Sequence, residues 1–212
     1  MIASVIFDCD GVLVDSEEIA NRVLAELLTE AGLPTTYDQA VDAYRGRSME
    51  SVVATAKERL GSSLPFDLLG RYFTRIKEVF ETELRPVPGV IEALQRIDLP
   101  DCVASNGPSH KMETTLRLTG LWNRFEGRIF SAEDVSVGKP APDLFLHAAR
   151  VMGFDPETTA VVEDSLLGVQ AGGAAGMKVF AFASHTEPEI LAAAGGVPFT
   201  DMAQLPGLLG QD

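Results

Sequence analysis

Three aspartates, Asp8, Asp10 and Asp15, fall within eight residues in the stretch FDCDGVLVDSE, directly after the apolar run Val5-Ile6-Phe7. Like charges set this close raise one another's pKa and cost stability unless a cation or a chemical task offsets the repulsion. Other polar residues stand beyond short apolar runs in the same way. Ser105-Asn106-Gly107 follows Cys102-Val103-Ala104, Glu163-Asp164-Ser165 follows Ala160-Val161-Val162, and Gly138-Lys139-Pro140 lies beyond Arg128-Ile129-Phe130. Singly, each has an ordinary use as helix cap, turn or solvated side chain. Together they suit phosphoryl transfer. A carboxylate can attack phosphorus and form an aspartyl phosphate. The carboxylates after the first run, with Asp164 and Glu163, make a hard oxygen set that suits Mg²⁺. Such a cation would neutralise the crowded charge and orient a phosphate. Ser105, Asn106 and nearby backbone N–H groups can hold phosphoryl oxygens. Lys139 supplies a fixed positive charge that keeps a carboxylate nucleophile ionised. A carboxyl two residues beyond the nucleophile can serve as general acid and then as base.

These groups can meet only if the runs before them are strands of one sheet. Ser4 to Phe7 reads as a buried strand. Residues 16–85 then read as helical throughout. Ile19, Val23, Leu24, Leu27, Leu28 and Ala31 share one helical face, Ser16 is placed to cap it, and Gly32-Leu33-Pro34 stops it. Further helices are predicted near 37–45, 49–60 and 66–84. RPVPG, Arg85 to Gly89, breaks the pattern. Beyond it, short apolar strands (102–104, 128–130, 160–162 and 178–182) alternate with helices near 109–119, 142–152 and 166–175. That alternation argues a doubly wound parallel α/β sheet covered on both faces, with functional groups beyond the carboxyl ends of its strands. The predicted organisation is an α/β core of residues 1–15 and 86–212, with a helical insertion, 16–85, after the first strand.

Composition narrows the function. The chain has 212 residues, 46% hydrophobic and 23% charged, with a formal net charge of −14. A surface this acidic repels nucleic acid and anionic lipid, so neither is an expected partner, and an anionic substrate needs locally placed cations. The two cysteines, Cys9 and Cys102, read as small buried thiols rather than a disulfide. No run approaches membrane-span length and the N-terminal segment lacks a leader pattern, so the expected location is cytoplasmic.

The motifs resemble those of the haloacid dehalogenase superfamily, in its phosphatase and phosphomutase branch with a helical cap, and the resemblance covers essentially the whole chain. DCDGVLVDSE is similar to its DxDG motif, VASNGP to the second motif, VGKPAPDLF to the third and VVEDSLLGVQAG to the fourth. The resemblance implies that Asp8 is the nucleophile and Asp10 the acid/base. It also implies that Ser105, Asn106 and Lys139 bind phosphate. Mg²⁺ would sit among Asp8, Asp10 through its carbonyl, and Asp164, with Glu163 either a direct ligand or one step removed. CVASNGPSHKM, Cys9 within the first motif and the tail AQLPGLL are similar to bacterial 6-phosphogluconate phosphatases. β-Phosphoglucomutases of the same branch carry a histidine early in the first cap helix, where this chain has Glu18-Ile19-Ala20-Asn21. They also place an arginine near the position of Met49, where this chain has Arg45 and Arg47 slightly earlier. Those two arginines are expected to contact substrate.

The expectation is a Mg²⁺-dependent phosphatase acting on a small phosphorylated metabolite, a sugar or sugar-acid phosphate such as 6-phosphogluconate. The alternative close to it is a β-phosphoglucomutase-type enzyme. A phosphoacceptor signalling domain stands further off, because a bare receiver needs neither the helical insertion nor a carboxyl two residues beyond its nucleophile.

Overall fold

The computed structural model describes residues 1–44 and 49–211. The chain opens with strand β1 (Ser4–Phe7). Four helices follow: α1 (Glu17–Glu30), α2 (Tyr37–Tyr44), α3 (Met49–Leu60) and α4 (Leu68–Glu83). The chain then runs through α5 (Val90–Arg96), β2 (Asp101–Ser105), α6 (Ser109–Leu118), α7 (Trp122–Phe125), β3 (Ile129–Ser131), α8 (Asp143–Met152) and β4 (Thr159–Glu163). It closes with α9 (Leu166–Ala174), β5 (Lys178–Phe182), α10 (Pro188–Ala193), β6 (Val197–Phe199) and α11 (Leu205–Leu208). Two compact units result, Met1–Asp15 with Arg85–Asp212, and Ser16–Leu84.

The first unit is an α/β fold on one parallel sheet of six strands in the order β3-β2-β1-β4-β5-β6. Every residue of β1, β2 and β4 is buried, because helices cover both faces. The pleat sorts their side chains. Val5, Phe7, Val103, Ala160, Val162, Phe180 and Phe182 enter one apolar core, while Ile6, Cys102, Ala104, Val161, Val179 and Ala181 enter the other. From β1 the chain moves outward through β2 to β3, then returns to β4 on the other side of β1. That reversal opens a crevice beyond the carboxyl ends of β1 and its neighbours, the usual ligand position in such sheets.

The second unit is helical. Leu24, Leu27 and Leu28 of α1 and Ile76 and Phe80 of α4 share its core. Ion pairs join the same two helices outside it: Arg22 with Glu83, Arg75 with Glu26 and Glu30, and Arg71 with Glu30. Ser16 does not cap α1 through its hydroxyl as expected. Its backbone is already right-handed helical (φ −94, ψ −20) rather than extended, which turns the side chain away from the first-turn N–H groups. Helices α5, α7, α10 and α11 and strand β6 are additions to the sequence expectation. The last is three residues with a proline in the middle, which an edge strand tolerates and a periodicity reading passes over. Both cysteines are free and buried. Among the described residues no helix is long and apolar enough to cross a membrane.

Candidate active site

Strand register decides which side chains meet. β1 pairs Phe7 with Val162 of β4, so the residues that come next, Asp8 and Glu163, emerge side by side. The Asp8 N–H extends the ladder by donating to Val162 O at 2.9 Å. On the other flank Phe7 pairs with Val103, two residues before Ser105. Lys139 enters between the two carboxylates. Its Nζ donates to Asp8 Oδ1 at 2.5 Å and to Glu163 Oε1 at 2.6 Å, with all three side chains at least nine-tenths buried. The ammonium also lies 4.7 Å from the ring centroid of Phe145 on α8.

This cluster holds more negative than positive charge, and its acid–base behaviour follows. Burial pushes the Asp8 carboxyl up from its ordinary 3.8 to about 7; the Lys139 charge opposes the rise, while Glu163 and Asp10 add to it. For Lys139, burial works toward the neutral amine, but the two carboxylates in contact outweigh it and hold the ammonium above its ordinary value.

The remaining expected residues gather around this centre, some with other partners than expected. Asn106 engages the backbone of Lys139. Its Oδ1 accepts from Lys139 N at 2.9 Å and its Nδ2 donates to Lys139 O at 3.2 Å, so it latches the backbone that presents the lysine. Glu163 is held by protein groups on both oxygens. Its Oε1 accepts from Lys139, and its Oε2 accepts from Asp164 N, Ser165 N and Ser165 Oγ, each at 2.9 Å. Helix α9 closes over that carboxylate at Gly168, where a Cβ would lie 1.8 Å from Glu163 Oε1. Asp164 turns toward the loop after β1. A Cβ on Gly11, whose φ of +77 already favours glycine, would fall 2.2 Å from Asp164 Oδ2. Ser105 is buried, and its Oγ accepts from Gly107 N at 3.3 Å. Arg45 and Arg47 lie outside the described residues.

Asp10 brings in a residue that the sequence reading passed over. Lys111 Nζ donates to Asp10 Oδ2 at 2.8 Å. Lys111 stands in the first turn of α6, where the helix dipole disfavours a cation by about 0.3–1 kcal/mol. That misplaced charge was the available signal. The turn before α6 is tied down by β3 and the residues after it. Ser131 Oγ donates to Gly107 O at 2.8 Å, and Ser109 N donates to Glu133 Oε2 at 3.0 Å, which holds the Glu133 carboxyl below its ordinary value.

Among the described residues, no three His, Cys, Asp or Glu side chains form a group that could hold a metal ion by themselves. A site of two side-chain carboxylates and a backbone carbonyl is a different donor set, and the local chemistry fits a hard dication. The available donors are oxygens. Four carboxylates (Asp8, Asp10, Glu163, Asp164) face two ammonium groups (Lys111, Lys139), a formal surplus of two negative charges. A dication beside Asp8 would oppose the rise that burial causes and favour the ionised carboxylate.

A carboxylate-rich centre lies at the switch point of a parallel sheet, with a buried lysine bridging two strand ends. The pattern of the haloacid dehalogenase-like hydrolases fits residues 2–176. The chain belongs to that family. This haloacid dehalogenase-like hydrolase is 32% identical over 208 residues to the 6-phosphogluconate phosphatase of Escherichia coli (strain K12), covering 98% of this chain and 94% of that protein. It is 31% identical over 179 residues to the fructose-1-phosphate phosphatase of the same strain, covering 82% and 93%. Among solved structures, a haloacid dehalogenase-like protein of unknown function from Agrobacterium tumefaciens superposes with a TM-score of 0.88 at 34% identity, over 99% of this chain and 98% of that one. A family hydrolase from Deinococcus radiodurans, with bound phosphate and sodium, gives 0.84 at 30% identity, over 99% and 95%.

Proposed function

We propose that this hydrolase is a Mg²⁺-dependent phosphatase that removes phosphate from a small phosphorylated metabolite, a sugar or sugar-acid phosphate, through a phosphoryl group carried on Asp8. The observation that carries the reading is the Asp8 carboxylate, buried at the switch point and contacted by Lys139 at 2.5 Å, with a second carboxylate two residues on. Asp8 attacks phosphorus as the bond to the sugar oxygen breaks, and Asp10 in its acid form gives that oxygen a proton. A water then attacks the same phosphorus, Asp10 takes its proton, and the Asp8–phosphorus bond breaks to release inorganic phosphate. Lys139 offsets the negative charge that Asp8 and the phosphoryl oxygens bring together, and Glu163 and Asn106 fix where that lysine stands. Ser105 and the backbone N–H groups of its turn receive phosphoryl oxygens. Asp8, Asp164 and the carbonyl of Asp10 would hold Mg²⁺, which when bound supplies charge neutralisation and orients the phosphate. The helical unit takes the part of the family's cap, with Arg45 and Arg47 as substrate contacts.

The names of the two Escherichia coli relatives suggest the first compounds to try. Release of inorganic phosphate is to be measured across 6-phosphogluconate, fructose 1-phosphate, other hexose phosphates and nucleotides, with and without Mg²⁺. Metal-dependent release concentrated in the sugar and sugar-acid phosphates supports the proposal. Isomer formation without release, in the presence of a sugar bisphosphate, would replace it with the phosphomutase reading.

A further inference from the structure

We propose that Lys111 is the positioning residue for Asp10, holding its carboxyl group where the acid form can pass a proton to the leaving oxygen and the carboxylate left behind can take one from water. The inference rests on Asp10 being the proton shuttle of the reading above. Asp10 lies in the turn after β1, where its backbone bridges to Val14. Lys111 reaches it from α6, 101 residues along the chain, with Nζ 2.8 Å from Oδ2. Lys139 is committed elsewhere, to Asp8 and Glu163.

The surroundings show that Lys111 is held in place and that the pair faces a working space. Around Gly107, a Cβ would stand 3.6 Å from Asp10 Oδ2, 3.7 Å from Ser105 Oγ and 3.8 Å from Lys111 Cδ. The carboxylate, the hydroxyl and the lysine stem therefore converge on one point, and it is the point where the residue has no side chain. Gly107 itself is fixed through Ser105 Oγ and Ser131 Oγ, and the start of α6 through Glu133, so the root of Lys111 does not wander. The Asp10 and Lys111 side chains keep 18% and 33% of their exposure, enough for a substrate oxygen or a water to reach the carboxylate. A cation at the positive end of a helix dipole is a local violation of helix chemistry, and such violations concentrate where function requires them.

The test is a double-mutant cycle on Mg²⁺-loaded protein, with kcat and KM measured for acetyl phosphate. Thermal unfolding serves as the folding control, and Lys111→Gln stands in should Lys111→Met fold poorly. Lys111→Met is expected to lower kcat by about 10²-fold, the cost of a misplaced catalytic group, with KM close to that of the wild type. Lys111→Arg, which keeps the charge, should recover most of kcat. In an Asp10→Asn background Lys111→Met should cost little more, because the lysine acts through the carboxylate. Full activity in Lys111→Met, a loss in KM alone, or an equal loss in both backgrounds overturns the inference. An inactive Asp10→Asn beside a fully active Lys111→Met removes only the role of Lys111. A fully active Asp10→Asn removes the shuttle assignment and this inference with it.

Discussion

The sheet carries a charged cluster at each of two opposite strand ends. At the amino end of β2, buried Asp101 meets two guanidinium groups: Arg124 Nε donates to Oδ2 at 2.8 Å and Arg128 NH1 to Oδ1 at 2.6 Å. Arg124 also donates to the carbonyls of Leu94 and Ile97, and Arg128 to that of Asp101. At the carboxyl ends of β1 and β4, Asp8 and Glu163 share the single cation of Lys139. The first cluster has cations to spare, half-open to water, and ties α7 and the segment after it to the sheet. The second has carboxylates to spare, sealed from water, and one of them is pushed up to about 7 by that burial. Asp101 has as many cations as it can pair with, while Asp8 is left short of positive charge, the pattern expected of a carboxylate that takes part in chemistry.

The sharpest way to break that contrast is at Asp8. Asp8→Asn should leave no turnover above background in a phosphate-release assay, with the protein still folded by circular dichroism. Activity near that of the wild type would make the two clusters alike. Lys139→Met should also lose most of its activity and unfold at a lower temperature, since it leaves two buried carboxylates without their cation.

Asp101→Ala should show the opposite pattern. Breaking a buried ion pair costs about 3–5 kcal/mol, and because both arginines keep roughly a third of their exposure, about 2–3 kcal/mol is expected in denaturant unfolding. The folded fraction should keep its kcat.

A smaller effect separates the clusters by pH. The raised Asp8 value means that the folded state holds this proton more tightly than the unfolded chain. Its stabilising contribution is complete below 3.8 and is lost as pH climbs through about 7. In chelator, the unfolding temperature of Asp8→Asn should therefore gain on that of the wild type as pH rises from about 4 to 7, the span over which that contribution fades. Mg²⁺ should narrow the gap by stabilising the wild type alone. A gap that does not change with pH would contradict the assignment.

The cysteines give the smallest signal, one beside each cluster. Burial pushes the Cys9 thiol well up, with Asp10 and Asp8 adding to it. Burial pushes Cys102 up to about 12, with Asp101 adding to it and Arg128 opposing. Neither should react with a thiol reagent at pH 8 while the protein is folded, and both should react in denaturant. Rapid labelling of Cys9 alone would show that its cluster is open to solvent.

The strand ends were legible in the sequence because each is a short apolar run that stops at a polar residue. Alternation of such runs with helices implies a parallel sheet, and a parallel sheet puts its strand ends on one edge. What the sequence could not show is which atoms those residues engage. Asn106 and Glu163 read as phosphate and metal partners by type, yet both hold protein groups, one the backbone of Lys139 and the other its ammonium. Only the β1–β4 register sets Asp8 beside Glu163, and only the folded loop brings Lys139 between them. Lys111 was marked only by its place in the first turn of α6, because its partner lies on another element. β6 and α5 are too short for periodicity to mark, and packing against the rest of the fold makes them regular.

In the proposed mechanism Asp8 carries the phosphoryl group and Asp10 is needed to release it. Asp10→Asn and wild-type protein are to be mixed with acetyl phosphate and Mg²⁺, quenched over a time course and examined by intact-mass and peptide mass spectrometry. The variant should accumulate one phosphoryl group on the peptide that contains Asp8 and lose it slowly, while the wild type turns it over too quickly to accumulate. A phosphoryl group on another residue, or a wild-type adduct that persists for many minutes and is unchanged by Asp10→Asn, would contradict the account.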